Sequence, residues 1–227
     1  MSIFFLGLFM GARHAVDADH IVAVSTMTSE NGNFWRSCKI GAYWGAGHTI
    51  VLLLVGLAVL GFRLTISETL ARFFEACVGV MLVGLGLSVV LSLLREQLHL
   101  HPHNHAEEEE GTPHRHVHSH RDDLSHGHAH RFPVEYKSLS IGMVHGLAGS
   151  AVISLLVLST AHSLMDGFLY LLLFGLGSIG GMIVLGALLS VPFALAPAGW
   201  VQTHRAMRAL AGLASLSLGG GILYSVA

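Results

Sequence analysis

The stretch RHAVDADHI, residues 13–21, places an arginine, two histidines and two aspartates inside an otherwise apolar segment. MSIFFLGLFMGA precedes it and VAVSTM follows it, so the ionisable groups fall within a run that predicts a membrane-spanning helix. Charged groups at membrane depth are costly unless they face one another or a watery cavity. The cluster therefore indicates a functional site.

The chemistry that these residues favour is metal binding. On a continuous helix, His14, Asp17 and His20 lie within about 120° of one another and share a face, whereas Asp19 points elsewhere. Two imidazoles and a carboxylate form a ligand set for nickel, copper, zinc or iron. The alternative is a structural polar network, but an ion pair between Arg13 and Asp17 would leave both histidines without a role.

Two other histidines lie within apolar segments, His48 in GAGHTIV and His145 in GMVHG. A lone histidine in such a place is more often a packing residue, but beside the first cluster both are candidate ligands. His162 and His204 stand at predicted helix ends. The packing interpretation is the better one for these two.

The geometry of a continuous helix limits how one ion is bound. His14 and His20 are about 9 Å apart along the axis, whereas a metal–imidazole bond is about 2 Å long. Unless the helix is broken or the site is extended, we therefore expect His14 and Asp17 to bind the ion with His48, and His20 to form a later position or to orient Asp17. Asp19 is expected to meet a neighbouring helix or Arg13.

Composition and apolar runs predict an all-α membrane protein. Of 227 residues, 52% are hydrophobic and 11% charged, and the net charge of −2 offers no basic surface for nucleic acid. About 20 apolar residues cross a bilayer. Pro192 and Pro197 are expected to end the fifth of the predicted helices. The six predicted transmembrane helices are 2–28, 40–62, 76–94, 138–161, 167–190 and 209–227.

A polar segment, 95–137, separates the third and fourth predicted helices and holds eleven of the 17 histidines, between His99 and His130. Its low complexity predicts a disordered loop that binds metal ions weakly, or a plain solvated linker. We expect deletion of 99–130 to change transport efficiency and to leave some transport.

The segments on either side of this loop resemble each other. GARHAVDADHIVAV aligns with GMVHGLAGSAVISL, WGAGHTI with FGLGSIG, and RFFEACVG with RAMRALAG, at offsets of 130 to 133 residues. These matches place His14 opposite His145, and His48 opposite Ser178. They predict two inverted three-helix repeats, 1–94 and 138–227, with the site between them.

The distribution of lysine and arginine predicts the orientation, because cytoplasmic loops carry the excess. Arg63 and Arg72 fall on one side of the membrane, and Arg13 lies inside the first span. We therefore expect an inner-membrane protein with a cytoplasmic histidine-rich loop and both termini outside. The other side holds Arg36, Lys39, Arg95, Arg115, Arg121, Arg131, Lys137, Arg205 and Arg208.

RHAVDADHI resembles the signature of the nickel/cobalt transporter family, and GHTIV resembles that family's second motif. The second half looks more like the shorter relatives described as urease-accessory nickel permeases. The resemblance implies a Ni²⁺ or Co²⁺ permease, and five residues of this chain match motif positions that the family needs for transport. The family usually has eight helices and an L-G-x-D-T-A-T-E motif, where this chain has HGLAGSAVI. The matching residues are His14, Asp17, Asp19, His20 and His48.

The function predicted from the sequence is therefore a secondary permease that imports Ni²⁺ or Co²⁺. The ion is its substrate, no cofactor is expected, and the bilayer and cytoplasmic metallochaperones are the expected partners. An exporter and a metal-presenting accessory subunit are the alternatives. An intramembrane zinc hydrolase is disfavoured because the chain has no HExxH, and no GxxxxGK[ST] motif is present for ATP.

Overall fold

Helices account for almost all of the residues that the computed structural model describes, which are 3–29, 33–64, 66–98, 133–160, 163–195 and 201–227. No strand occurs within these ranges, so the all-α prediction is confirmed for them. The histidine-rich stretch from His99 to His130 lies outside the described residues, and so does His162. In chain order the helices are α1 Ile3–His14, α2 Ala18–Ser29, α3 Phe34–Phe62, α4 Glu68–Leu98, α5 Val134–Thr160, α6 Leu164–Leu195 and α7 Val201–Val226.

Four of these helices are long and apolar enough to cross a membrane. They are α3, α4, α6 and α7, whose most apolar windows have mean hydropathies from 1.5 to 2.5. A span needs about 20 residues, and α1 and α2 have only 12 each. The chain is therefore a membrane protein.

The prediction of one continuous helix over 2–28 is wrong, because the helix is interrupted between His14 and Ala18. The amide of Val16 bonds to the carbonyl of Arg13 at 3.0 Å, and that of Asp17 to His14 at 3.1 Å. These are three-residue bonds, tighter than those of an α-helix. The carbonyl of Asp17 then accepts the amide of Ile21 at 3.0 Å, which begins α2.

Pro192 does not end the fifth predicted helix, which was also a wrong prediction. α6 continues through Pro192 to Leu195. Proline removes one backbone hydrogen bond, and so close to the end of the helix few later bonds depend on it. Pro197 lies outside the described residues.

The helices pack in pairs, and glycines lie where their backbones approach most closely. α1 packs along α6, and α5 packs along α3. Gly11 lies so close to Phe174 that an added Cβ would collide with its backbone, and Gly142 approaches the backbone of Trp44 in the same way. These two approaches are equivalent, because Gly142 follows Gly11 by 131 residues and Phe174 follows Trp44 by 130.

A second kind of contact joins equivalent helices to each other. α4 packs on α7, with Gly79 against Gly219 and Gly86 against Gly212. Residue numbers rise along one helix as they fall along the other, so α4 and α7 are antiparallel. The two contacts are also equivalent: adding 133 to the number of each α4 glycine gives the α7 glycine of the other contact, Gly212 for Gly79 and Gly219 for Gly86.

α3 and α6 cross in the same antiparallel manner. Gly45 lies against Ile179, and Gly175 lies against Thr49, whose hydroxyl donates to the carbonyl of Gly175 at 3.2 Å. These two contacts are equivalent as well: adding 130 to the numbers of Gly45 and Thr49 gives the α6 residues of the other contact, Gly175 and Ile179. The glycines thus let the backbones of both halves approach closely at matched positions.

Candidate metal site

The interruption between α1 and α2 lies where four histidines meet, three of them buried. His14 is the last residue of α1, and His20 lies in the first turn of α2. His48 comes from the middle of α3 and His145 from α5. The side chains of His20 and His145 are 0% and 3% exposed, His48 is fully buried, and His14 is 18% exposed.

Three of these imidazoles form what we call the first triad, His14, His20 and His48. The ring centres of His14 and His20 are 4.6 Å apart, and His48 lies 5.2 Å from His14 and 5.5 Å from His20. One ligand atom from each residue lies within 4.8 Å of the others. Three nitrogens so placed can bind one divalent transition metal ion.

Two carboxylates orient the rings of this triad. Nδ1 of His14 donates to Asp17 at 2.7 Å, and Nδ1 of His20 donates to Asp19 at 3.1 Å. A histidine that donates one ring N–H to a carboxylate presents its other nitrogen for metal binding. The arrangement therefore directs Nε2 of His14 and of His20 away from the aspartates.

The nitrogens left over have no hydrogen bond within the described part of the chain. They are Nε2 of His14, Nε2 of His20 and both ring nitrogens of His48, all of them buried. A buried polar atom without a partner costs about 1–3 kcal/mol. A metal ion at the centre of the first triad would satisfy one nitrogen of each ring, so the donor set fits such an ion.

A second triad, Asp19, His20 and His145, adjoins the first and shares His20 with it. Nε2 of His145 lies 3.1 Å from Oδ2 of Asp19, whose other oxygen bonds to His20. The rings of His20 and His145 are 4.1 Å apart. These three residues also offer ligand atoms within 4.8 Å of one another.

The geometry expected from a continuous helix is corrected by the interruption. His20 does not lie a separate step beyond His14; the two rings are neighbours because the chain turns between them. Asp17 does not converge on the centre with His48, since it is 50% exposed and bonds to His14. Asp19 meets a neighbouring helix through His145, as its position off the shared face led us to expect.

Sequence reasoning missed the side chains that enclose the cluster. Phe174 has its ring 5.5 Å from His14, and Trp44 has its ring 5.8 Å from His145. Trp44 and Phe174 are aligned with each other in the sequence comparison of residues 44–50 with residues 174–180, and each lies beside one of the aligned histidines. That alignment was the available signal, which an inspection of polar residues alone overlooks.

His204 lies apart from the cluster. Its ring packs 6.5 Å from that of Phe193, near the end of α6. This agrees with the packing role expected for it, and it makes His204 a suitable control for substitutions in the site.

Buried imidazoles with partly exposed carboxylates beside them, among apolar helices, are typical of the class of membrane ion transporters. The model of the NicO family, described as high-affinity nickel-transport protein, matches residues 1–211, and the chain belongs to this family. The family is one of transporters, so the chain is not an enzyme.

Two relatives agree with this assignment. The chain is 35% identical over 226 residues to "Urease accessory protein UreH" of Bacillus sp. (strain TB-90), covering 100% of this chain and 92% of that protein. It is 33% identical over 69 residues to a "High-affinity nickel transport protein" of Cupriavidus necator, covering 29% of this chain and 19% of that protein. No solved structure matches the chain.

Proposed function

We propose that this protein is a permease that carries Ni²⁺ into the cell and binds the ion between His14, His20 and His48. The observation that carries the proposal is the convergence of three imidazoles, each with a buried nitrogen that lacks a hydrogen bond among the described residues. Imidazole suits Ni²⁺. The ion is the substrate, and the proposal includes no resident cofactor.

The proposed route to the triad begins at Asp17. Its carboxylate is 50% exposed and bonds to His14, the least buried of the three histidines. His20 and His48 are enclosed behind it. The exposed carboxylate attracts a divalent cation, and its bond to His14 places the attracted ion beside the first imidazole.

The architecture proposed for transport has six spans in two inverted repeats, 1–94 and 138–227, in which α1 and α2 together make the first span. Equivalent glycine contacts at offsets of 130 to 133 residues support this arrangement. The antiparallel packing of α3 on α6 and of α4 on α7 also supports it, because repeats of opposite orientation place their equivalent helices antiparallel. Sites between inverted repeats are typical of secondary transporters, as are interrupted helices.

The orientation is proposed from charge alone. The excess of lysine and arginine at one set of helix ends supports an inner-membrane protein with residues 95–137 in the cytoplasm and both termini outside. A histidine-rich loop on that side would receive imported ions and pass them to cytoplasmic metallochaperones. Reporter fusions after Arg95 and after Ala227 test this orientation, and a reporter after Arg95 that is active only outside would contradict it.

Nickel accumulation in a transporter-deficient bacterium that expresses only this chain tests the proposed function. We expect uptake by the parent and by His204→Ala, the matched histidine control. We expect His14→Ala and His48→Ala to reduce uptake at least about 100-fold, because even residues that merely orient metal ligands are worth about 10- to 100-fold.

Other results of the accumulation experiment would assign a different function or metal, or would reject the site. Lower nickel content in expressing cells would indicate efflux, and preferential accumulation of Co²⁺ would assign the other metal. Uptake only in the presence of a second protein would indicate an accessory subunit. Uptake that is unchanged in His14→Ala and His48→Ala would reject the site.

A further inference from the structure

We propose that the second triad, Asp19, His20 and His145, is a second position for the transported ion, to which His20 transfers it from the first triad. This inference rests on the proposed function and adds a translocation step to it. Two overlapping sets of ligand atoms carry the inference, each set within 4.8 Å, with His20 as their common member.

The second triad already has its donors arranged around one carboxylate. Nδ1 of His20 and Nε2 of His145 each lie 3.1 Å from a different oxygen of Asp19. An ion bound here would replace the hydrogen bonds between these groups with metal–ligand bonds. Both histidine side chains are almost fully buried, so water competes weakly for the ion.

The two nitrogens of His20 face different triads. Nδ1 bonds to Asp19 of the second triad, whereas Nε2 is buried without a hydrogen bond among the described residues. A neutral imidazole has one N–H and one lone pair. With the proton on Nδ1, the lone pair of Nε2 can bind an ion in the first triad. With the proton on Nε2, the lone pair of Nδ1 can bind an ion in the second.

His20 can therefore bind the ion in only one of the two positions at a time. Transfer of the ion exchanges protons with water: His20 releases the proton on Nδ1 and takes up another on Nε2, so the charge of the ring stays the same. His145 likewise releases the proton on Nε2 and takes up another on Nδ1, which leaves its Nε2 lone pair for the ion. The two positions are alternatives, so the ion occupies them in sequence.

The triads also differ in which part of the chain holds the ion. All three members of the first triad come from α1, α2 and α3, but the second triad includes His145 from α5. An ion that moves to the second position becomes bound by both halves. In transporters built from two repeats, relative movement of the halves changes access to the site. The transfer thus couples the position of the ion to that movement.

Comparison of binding with transport in His145→Ala and His145→Gln tests this inference. His145 contacts Asp19 through Nε2, and the glutamine amide reaches that position, so this second variant keeps a donor for Asp19. All measurements use a full-length background whose eleven loop histidines are replaced by serine, so that only the site binds nickel tightly. His204→Ala is the matched control and should equal the parent in both measurements.

We expect both His145 variants to bind Ni²⁺ within about threefold of the parent affinity and to take it up at least about tenfold more slowly. Uptake at the parent rate would overturn the second position. Loss of affinity as large as in His14→Ala would also overturn it, in favour of one undivided site.

Equilibrium dialysis of the unsubstituted site, in the same loop background, adds a test that does not depend on the folding of a variant. Because the triads share His20, we expect one tightly bound nickel ion for each chain. Two ions for each chain would overturn the transfer. A parent that neither binds nor accumulates nickel would reject the proposed function itself, whereas parent-like uptake by the His145 variants would reject only this inference.

Discussion

The two halves of the molecule differ most where α1 and α2 correspond to α5. The first copy is interrupted between His14 and Ala18, whereas α5 runs without a break from Val134 to Thr160. The histidine that ends α1 has its counterpart in His145. The residues 131 positions after Asp17, Asp19 and His20 are Ala148, Ser150 and Ala151.

This comparison distinguishes the helix packing, which both halves share, from the candidate ligands, which lie mainly in one half. Close glycine contacts occur in both halves at matched positions, as between Gly11 and Phe174 and between Gly142 and Trp44. The carboxylates and the shared His20 occur in one half only. The candidate ligands thus come mainly from the first half, and their single counterpart in the second is His145.

The largest expected difference between the halves is at His48 and its counterpart Ser178. His48→Ala removes one of three imidazoles and should lower nickel affinity at least about 100-fold. Ser178→Ala should change it less than about threefold, because serine supplies no imidazole. Calorimetry on purified protein with the loop histidines replaced measures both. Equal losses in the two variants would contradict the asymmetry.

The scaffold, in contrast, should respond equally in both halves. Gly11→Ala and Gly142→Ala each add a Cβ that collides with backbone, and overpacking of this kind costs about 1–3 kcal/mol. Gly180→Ala is the matched control, since nothing lies within 4 Å of its added Cβ. We expect the first two variants to unfold at lower temperature in detergent and the control to unfold no lower than the parent. A large effect from only one of the first two would break the equivalence.

The smallest expected effect concerns the orienting carboxylate of the first half. Asp17→Asn keeps a hydrogen-bond acceptor for Nδ1 of His14 and removes the charge of the half-exposed carboxylate. We expect nickel affinity to fall about tenfold, at the lower end for groups that orient metal ligands. The measurement is the same calorimetric titration. A loss as large as that of His48→Ala would make Asp17 a direct ligand, as the continuous helix had suggested.

The sequence was sufficient to predict the helical class and the family. Apolar runs identify helices because the bilayer sets their length, and α3, α4, α6 and α7 were all expected, with starts 3 to 8 residues late and ends within five residues. RHAVDADHI was sufficient to identify the family because it resembles the family's signature, whereas its ionisable groups by themselves indicate only a transition-metal site.

The interruption after His14 could not be predicted from the same residues. Ala15, Val16 and Asp17 include neither glycine nor proline, the usual signals for a break. The break changes which side chains meet, whereas the rise of a continuous helix, about 9 Å from His14 to His20, had separated these two residues. The contact of His145 with Asp19 likewise depends on the packing of α5 against the first half, which local spacing does not contain.

X-ray absorption at the nickel edge tests the central claim most directly. The sample is purified protein with one bound Ni²⁺ and with the loop histidines replaced by serine. We expect scattering from three imidazole nitrogens at about 2 Å, falling to two imidazoles in the fraction of His48→Ala that still binds nickel. A spectrum without imidazole scattering, or one that is identical in the parent and in His48→Ala, would contradict the three-histidine site.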